Sequence, residues 1–347
     1  MDSLSELVRL LAPSGTVDLH CRVAGAWSAH NAQAAPGHVP YHAILDGQAD
    51  VSMGAEPVRV AAGDVLLFPH GAAHTLSGVH GGRTRAADAR PVSSPDSHPD
   101  SHPDSSPDSS AEPGSESRHF NGVVTEVTVP GAAEPLDILC GTFVLGSSAG
   151  VLLRALPEML CVKTGGNGDA GLGWLRGLIG MMHVEADAPA PGSAAIIADL
   201  STALFTVLLR TLIAQGAVSH GVMALMADAR MARAVDAVVR HPERPWTVDS
   251  LAEVCNMSRA TLARRFAQLG ITPLELVTTL RMERAARLLR RDGLSAAAVA
   301  EQCGYASQAA FGRVFTQHYG VGPGAYRRQQ RELRSARATA QLSGDAA

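Results

Sequence analysis

Lysine is almost missing from this chain: Lys163 is the only one among 29 basic residues, the rest being arginine. Arginine's planar fork suits bidentate contacts to phosphate and guanine, so this bias leaves nucleic-acid chemistry open. Cysteine is scarce, with five residues at 21, 140, 161, 255 and 303 and no CxxC pair. An odd count without that spacing excludes a disulfide framework and a tandem zinc ribbon, so any cysteine chemistry must come from isolated thiols. No run reaches the ~18 consecutive apolar residues of a membrane span, and no membrane partner is expected. The opening residues Met1 to Glu6 lack the basic and apolar regions of a secretory signal, so a cytoplasmic location is expected.

What is present is enough chain for two or three domains, at 347 residues, and a concealed charge asymmetry. From Asp228 onward there are 18 Arg against 11 Asp and Glu, which is +7 and leaves −11 for the remainder. A basic C-terminal part is a footprint for phosphate backbones, which the acidic part would repel.

Residues 1–150 read as a β-barrel or sandwich. Short apolar runs end in turn signals, as in Ile44-Leu-Asp-Gly47 and Gly63-Asp-Val-Leu-Leu-Phe-Pro69, and strand-like text returns at Val123–Val129 and Leu136–Val144. Between them, residues 81–118 hold a Pro-Asp-Ser-His/Ser tetrapeptide repeat from Pro95 to Ser110 with no apolar residue. Such a segment reads as a disordered, solvated insertion, His98 and His102 included. After Leu152 the apolar period becomes helical: Trp174, Leu175, Leu178, Ile179 and Met182, then Ile196 to Leu212 behind a Gly192-Ser193 cap. Residues 151–227 are therefore accessory helices, whose apolar faces either form a dimer surface or pack within the domain.

The last 120 residues contain a repeat. Leu251-Ala-Glu-Val-Cys255-Asn-Met-Ser258 returns 48 residues later as Val299-Ala-Glu-Gln-Cys303-Gly-Tyr-Ala-Ser307. Each copy reads as a helix, a tight turn and a second helix opened by a Ser cap, which is helix-turn-helix architecture. In the second helices Leu262 and Phe266 match Phe311 and Phe315 at i, i+4, a stripe to be buried. The opposite faces carry Arg259, Ala260, Ala263 and Arg264, and in the other copy Gln308, Ala309, Gly312 and Arg313. Small residues allow close approach to a groove, while Arg and Gln read guanine and adenine edges. Pro273 to Leu289 forms one helix that holds the copies apart, so that two recognition helices can enter major grooves about one DNA turn, ~34 Å, apart.

Residues 228–328 resemble the DNA-binding domain of AraC/XylS-type transcription regulators. The likeness rests on Pro245-Trp-Thr-Val-Asp-Ser-Leu-Ala252, Met257-Ser-Arg259, Arg265-Phe266, Arg281-Met282, Gly304-Tyr305 and Gly320-Val-Gly-Pro323-Gly-Ala-Tyr326-Arg327. It implies base-facing positions at Ala260, Ala263 and Arg264, and at Gln308, Ala309, Ala310 and Arg313, with double-stranded promoter DNA and RNA polymerase as partners and a homodimer as assembly. One departure is Phe266-Ala-Gln-Leu-Gly270, a residue shorter than usual before that glycine. Residues 329–347 are expected to be a disordered tail.

Gly63 to His74 fits the second cupin motif, G-x5-P-x-G-x2-H, in which glycines and proline turn the chain between strands. The first cupin motif, with HxH and Glu, is missing; only His42 precedes Ile44, where strand alternation faces it inward. Two ligands are too few for a catalytic cupin metal, so a cupin-like fold without enzyme activity or a required cofactor is expected. The N-terminal text also resembles the branch of the family that activates genes in response to reactive chlorine, in Ala12-Pro-Ser-Gly-Thr-Val-Asp18, Tyr41-His-Ala43, Cys140-Gly-Thr142 and Leu156-Pro-Glu-Met-Leu160. That resemblance implies that Cys21 and Cys140 sense oxidant.

Three chemistries remain open for them. A thiolate near histidines, its pKa lowered, reacts with hypochlorous acid and closes a disulfide. Cys21, His42, His74 and Cys140 converge on zinc. Or both cysteines pack as small apolar residues, as Cys255 and Cys303 should in the helix-turn-helix cores. The whole is expected to be a transcription activator: a cupin-like β-barrel with accessory helices, then an all-α double helix-turn-helix domain. The alternatives are a barrel that binds a small organic effector and, more distantly, a cupin metalloenzyme.

Overall fold

The computed structural model describes residues 3–54, 56–78, 90–92, 116–131, 135–146, 153, 155–164, 170–290 and 293–344. The Pro-Asp-Ser repeat lies outside the described residues. The chain divides into two compact units, one of Pro13–Leu145 with Leu156–Ala217, the other of Met1–Ala12, Gly146–Ala155 and Val218–Ala347. Helix α1 (Ser3–Leu11) thus belongs with the C-terminal residues and not with the barrel, because Leu7, Leu10 and Leu11 make one apolar stripe buried in that unit.

The first unit contains β1 (Ser14–Val23), β2 (Trp27–Asn31), β3 (His38–Asp46), β4 (Gln48–Ser52), β5 (Val58–Ala61), β6 (Asp64–Leu67), β7 (His74–Gly78), β8 (Arg90–Val92), β9 (Ser117–Phe120), β10 (Thr125–Val129), β11 (Leu136–Val144) and β12 (Leu160–Lys163). One sheet runs β12-β6-β3-β11-β1-β10-β9 and the other β5-β4-β7-β2-β8. Alternation sends Leu19, Cys21, Ile44 and Ile138 into a core with Trp27, Phe68 and Leu76. The opposite face of the seven-stranded sheet carries Tyr41 stacked on Phe143, with Phe143 edge-on to Phe205 of a covering helix.

The covering helices are α2 (Ala170–Asp187) and α3 (Ser193–Ala214). They cluster with the sheets instead of forming a separate segment. By length and composition α3 could cross a membrane, although Asp199 and Arg210 interrupt it; here Ile197, Leu204, Phe205, Leu208 and Leu212 are buried against the unit. Gly15 allows this docking, since a Cβ there would lie 2.5 Å from Ser201 Cβ. The α3 cap differs from expectation. Ser193 donates to Glu185 and accepts from the Ala190 N–H, while Gly192 occupies the N-cap with no side-chain hydrogen bond.

In the second unit follow α4 (Gly221–Leu225), α5 (Ala232–Arg240), α6 (Val248–Val254), α7 (Arg259–Gln268), α8 (Pro273–Arg290), α9 (Ala296–Gln302), α10 (Gln308–Tyr319) and α11 (Pro323–Gly344). The expected disordered tail is helical as far as Gly344. Its Arg, Gln, Glu and Ala are strong helix formers, with no proline or glycine between Gly324 and Gly344 to stop them.

Candidate functional site: a nucleic-acid interface and a thiol–imidazole row

Both helix-turn-helix copies form, and each begins from its caps. Ser258 and Ser307 accept from the backbone N–H of Thr261 and Ala310, and Thr247 with Ser250 closes a capping box on α6. Leu262, Phe266, Phe311 and Phe315 are fully buried, so α7 and α10 must turn their other faces outward. Those faces hold Arg259, Ala260, Ala263 and Arg264 in one copy and Gln308, Ala309 and Arg313 in the other, all exposed, with Ala310 half-buried. Arg259 is already engaged, its guanidinium 3.2 Å from Asp249. Cys255 and Cys303 are fully buried in matching positions. The short exit turn after α7 closes on Gly270, at φ 68°.

Arg281, on the connecting helix α8, ties the two copies together. Its Nε donates to Pro242 O at 2.7 Å and a terminal nitrogen to Arg244 O at 2.8 Å, while the guanidinium lies 5.5 Å from the Tyr305 ring. The sequence motif contained Arg281 without disclosing this role.

In the first unit, Cys140 on β11 pairs directly with His42 on β3, and Cys21 on β1 sits diagonally across from Cys140, opposite Ile138. All three face the barrel interior, as does His74 at the start of β7. His74 Nδ1 lies 2.7 Å from Ala72 O, His74 Nε2 lies 2.7 Å from His42 Nε2, and His42 Nδ1 lies 3.0 Å from Cys140 Sγ. A carbonyl only accepts, and this sets every proton in the row. His74 Nδ1–H donates to Ala72, His42 Nε2–H donates to His74, and the Cys140 thiol donates to the bare Nδ1 of His42. Cys21, the diagonal neighbour of Cys140 across β1 and β11, continues the row and acts on the Cys140 thiol.

Burial and the neighbouring His74 push the His42 pKa well below its ordinary value, and burial lowers that of His74. Contact with Cys21 and burial push the Cys140 thiol up, with Asp18 adding to the effect. Cys140 is therefore a neutral thiol at rest, the reverse of the lowered pKa expected from adjacent histidines, because buried histidines carry no charge to stabilise a thiolate. The zinc reading fails for a related geometric reason. Among the described residues, no three of Cys21, His42, His74 and Cys140 offer ligand atoms all within 4.8 Å, so they form a row and not a cage.

A cavity of about 480 Å³ opens onto this row, lined by Asp18, Asn31, Gln33, His38, His42 and Cys140 among others. Cys21 does not line it. Asp18, which sequence reasoning missed, reaches the cavity because the β1–β11 register slips between Val17 and Leu19. Its carboxylate is held by the hydroxyls of Thr16 and Thr142. Cys161 also belongs to the interior, but β6 and β3 separate its strand from β11, a spacing of ~14 Å that rules out pairing with Cys140.

A cupin-type barrel and paired helix-turn-helix motifs in one chain define a DNA-binding regulator with a second, β-rich domain. A cupin family model matches residues 2–214 and a helix-turn-helix domain model residues 251–329. The chain belongs to the AraC-type transcriptional regulators with a cupin N-terminal domain. It is similar to RclR, an RCS-specific HTH-type transcriptional activator of Escherichia coli, at 29% identity over 96% of this chain and 99% of that protein. It is also similar to the HTH-type transcriptional regulator MtrA of Neisseria gonorrhoeae, at 28% over 95% and 99%. A solved structure, the DNA-binding domain of AdpA in complex with target DNA, is 35% identical over 30% of this chain and 95% of that one, with a TM-score of 0.29. Both of these relatives are named as transcriptional regulators.

Proposed function

We propose that this regulator activates transcription in response to hypochlorous acid, with Cys140 attacked first and Cys21 resolving it. One observation carries the reading: two thiols on diagonal positions of paired strands face the same interior, one of them 3.0 Å from a bare imidazole nitrogen, and only Cys140 of the pair lines the cavity. The Cys140 sulfur attacks chlorine as its proton moves to His42 Nδ1, and hydroxide leaves. That hydroxide takes the proton from His42 and becomes water. Cys21 then displaces chloride from the sulfenyl chloride, losing its own proton as the disulfide forms. In sum, two thiols lose two electrons and hypochlorous acid becomes chloride and water. Diagonal strand partners have Cα atoms ~7–8 Å apart, beyond the usual 4.4–6.8 Å of a disulfide, so closure must move β1 against β11. That displacement is the differential strain that shifts the sensor's population. The RCS-specific relative supports the choice of oxidant.

Cys140→Ser and Cys21→Ser are each expected to abolish hypochlorous-acid induction of a promoter reporter. Induction that survives in both would overturn the oxidant reading. A second reading has support in the cavity itself, whose volume suits a small organic effector and whose Asn31 and Gln33 offer polar contacts. It predicts that an organic inducer works equally well in both cysteine variants.

Base reading is assigned to Ala260, Ala263, Arg264, Gln308, Ala309, Ala310 and Arg313, with Arg259 steering phosphate. Arg264→Ala and Arg313→Ala should each weaken specific binding by about 1–3 kcal/mol in a mobility-shift titration against promoter DNA. Arg259→Ala should cost less, because Asp249 already competes for that guanidinium. If neither Arg264→Ala nor Arg313→Ala changes affinity, the groove placement is wrong. RNA polymerase is the partner an activator requires. A homodimer through the exposed Trp174, Met181 and Val184 of α2 would present two such domains to a promoter in the cytoplasm.

A further inference from the structure

On the reverse face of the strands that carry Cys21 and Cys140 lies a second cluster, unrelated to the thiol row. His20 precedes Cys21 on β1 and so points to the opposite side of the sheet, towards α2. There it meets Asp137 of β11, with His20 Nε2 2.8 Å from Asp137 Oδ1, and His183 of α2, whose ring lies edge-on with centroids 5.1 Å apart. We propose that His20, Asp137 and His183 form a binding site for a divalent transition ion of the zinc class.

Each of the three offers a ligand atom, and these atoms all lie within 4.8 Å of one another. Metal–ligand bonds of ~2.0–2.2 Å put donors on one ion no more than ~4.4 Å apart, so a small contraction closes the set. His20 is 1% exposed, and its Nδ1 has no hydrogen-bond partner; His183 Nε2 is likewise buried and unpartnered. Orphaned lone pairs or N–H groups in a packed layer are costly to keep, and each ring so placed has nitrogen capacity left for an ion. The donor chemistry selects the ion. Two imidazoles with one carboxylate suit zinc and its neighbours, whereas calcium and magnesium want oxygen throughout. Three protein ligands leave a fourth position for water.

The charge around the site is compatible. Arg22 stands 3.7 Å from Asp137 Oδ2, but Asp187 on α2 also pairs with its guanidinium, so one carboxylate is left uncompensated to meet a cation. A bound ion would strap α2, which carries exposed Trp174 and Met181, to the strands bearing both thiols.

The test uses full-length protein stripped with a chelator and titrated with cobalt(II), then with zinc as competitor. One equivalent is expected to bind, with visible d–d bands and no thiolate charge-transfer band. Binding should persist in the Cys21→Ser/Cys140→Ser double variant, which separates this site from the thiol row. It should weaken about 100-fold or more in His183→Gln, a half-buried helix position, and in Asp137→Asn. Zinc should raise the Tm of the unaltered chain and not that of His183→Gln. Failure to bind one equivalent, unchanged affinity in His183→Gln, or a thiolate charge-transfer band would each overturn the proposal.

Discussion

Gly304→Ala is expected to unfold the second helix-turn-helix and abolish specific DNA binding, while Asn256→Gly at the matching turn of the first copy costs less, losing only the side-chain hydrogen bonds of Asn256 to Glu253 and Arg233. The two residues sit at the same place in the repeat and both are left-handed, at φ 75° and 52°. Alanine at a left-handed position costs roughly 1–2 kcal/mol. The larger penalty is particular to Gly304, where a Cβ would stand 2.8 Å from the carbonyl oxygens of both Pro242 and Glu243 and 2.6 Å from an Arg281 nitrogen. A side-chain tip can swing away, but backbone oxygens cannot. Relief therefore means opening the Arg281 clamp, whose hydrogen bonds from a charged donor contribute about 1.5–3 kcal/mol each. A loss of about 3 kcal/mol or more should appear in denaturant unfolding of the C-terminal unit. Asn256→Gly should cost about 1 kcal/mol, the loss of exposed side-chain hydrogen bonds, and a Gly304→Ala protein with an unaltered midpoint would refute the clamp.

Acid should destabilise the cupin unit well before its carboxylates titrate. Folding lowers the pKa of His42 and of His74. As pH falls below about 6.5, the unfolded chain takes up protons at both imidazoles while the folded chain does not. The unfolded state then binds more protons, so stability is full above about 6.5 and declines as pH drops towards the folded values. The slope has a ceiling of about 1.4 kcal/mol per pH unit for each histidine, approached by His42, which burial holds well below its ordinary value, while His74 adds to it in the same direction. Thermal melts between pH 7.5 and 5 should show this decline, and His42→Gln should make it shallower. Asp137, also held below its ordinary value, contributes only at lower pH because its unfolded pKa is near 3.9. A melt that is flat from pH 7.5 to 5 would show that the imidazoles are not buried as a neutral pair.

The helix-turn-helix copies were legible in the sequence because everything that specifies them is local. A Ser cap acts three residues ahead, Leu262 and Phe266 sit one turn apart, and the exposed face follows once the buried one is known. The inward orientation of His42 was legible for a similar reason, since strand alternation is a two-residue rule. The length of the tail helix was missed because its residues form no apolar stripe that periodicity could detect.

The thiol–imidazole row is different in kind. His42, His74, Cys21 and Cys140 come from four strands, and only the pairing of β3 and β1 with β11, together with β7 of the second sheet facing them, makes neighbours of them. No local spacing shows that His42 faces Cys140, that a slip beside Asp18 turns a carboxylate into the cavity, or that Ala72 O orders the protons. The sequence could thus name the candidate residues and place them in a barrel, since composition and short periods are properties of the chain itself. Tertiary structure alone decided that Cys140 rests as a neutral thiol and that the four candidate ligands make no cage. Both follow from burial and strand register, which arise only when distant segments pack.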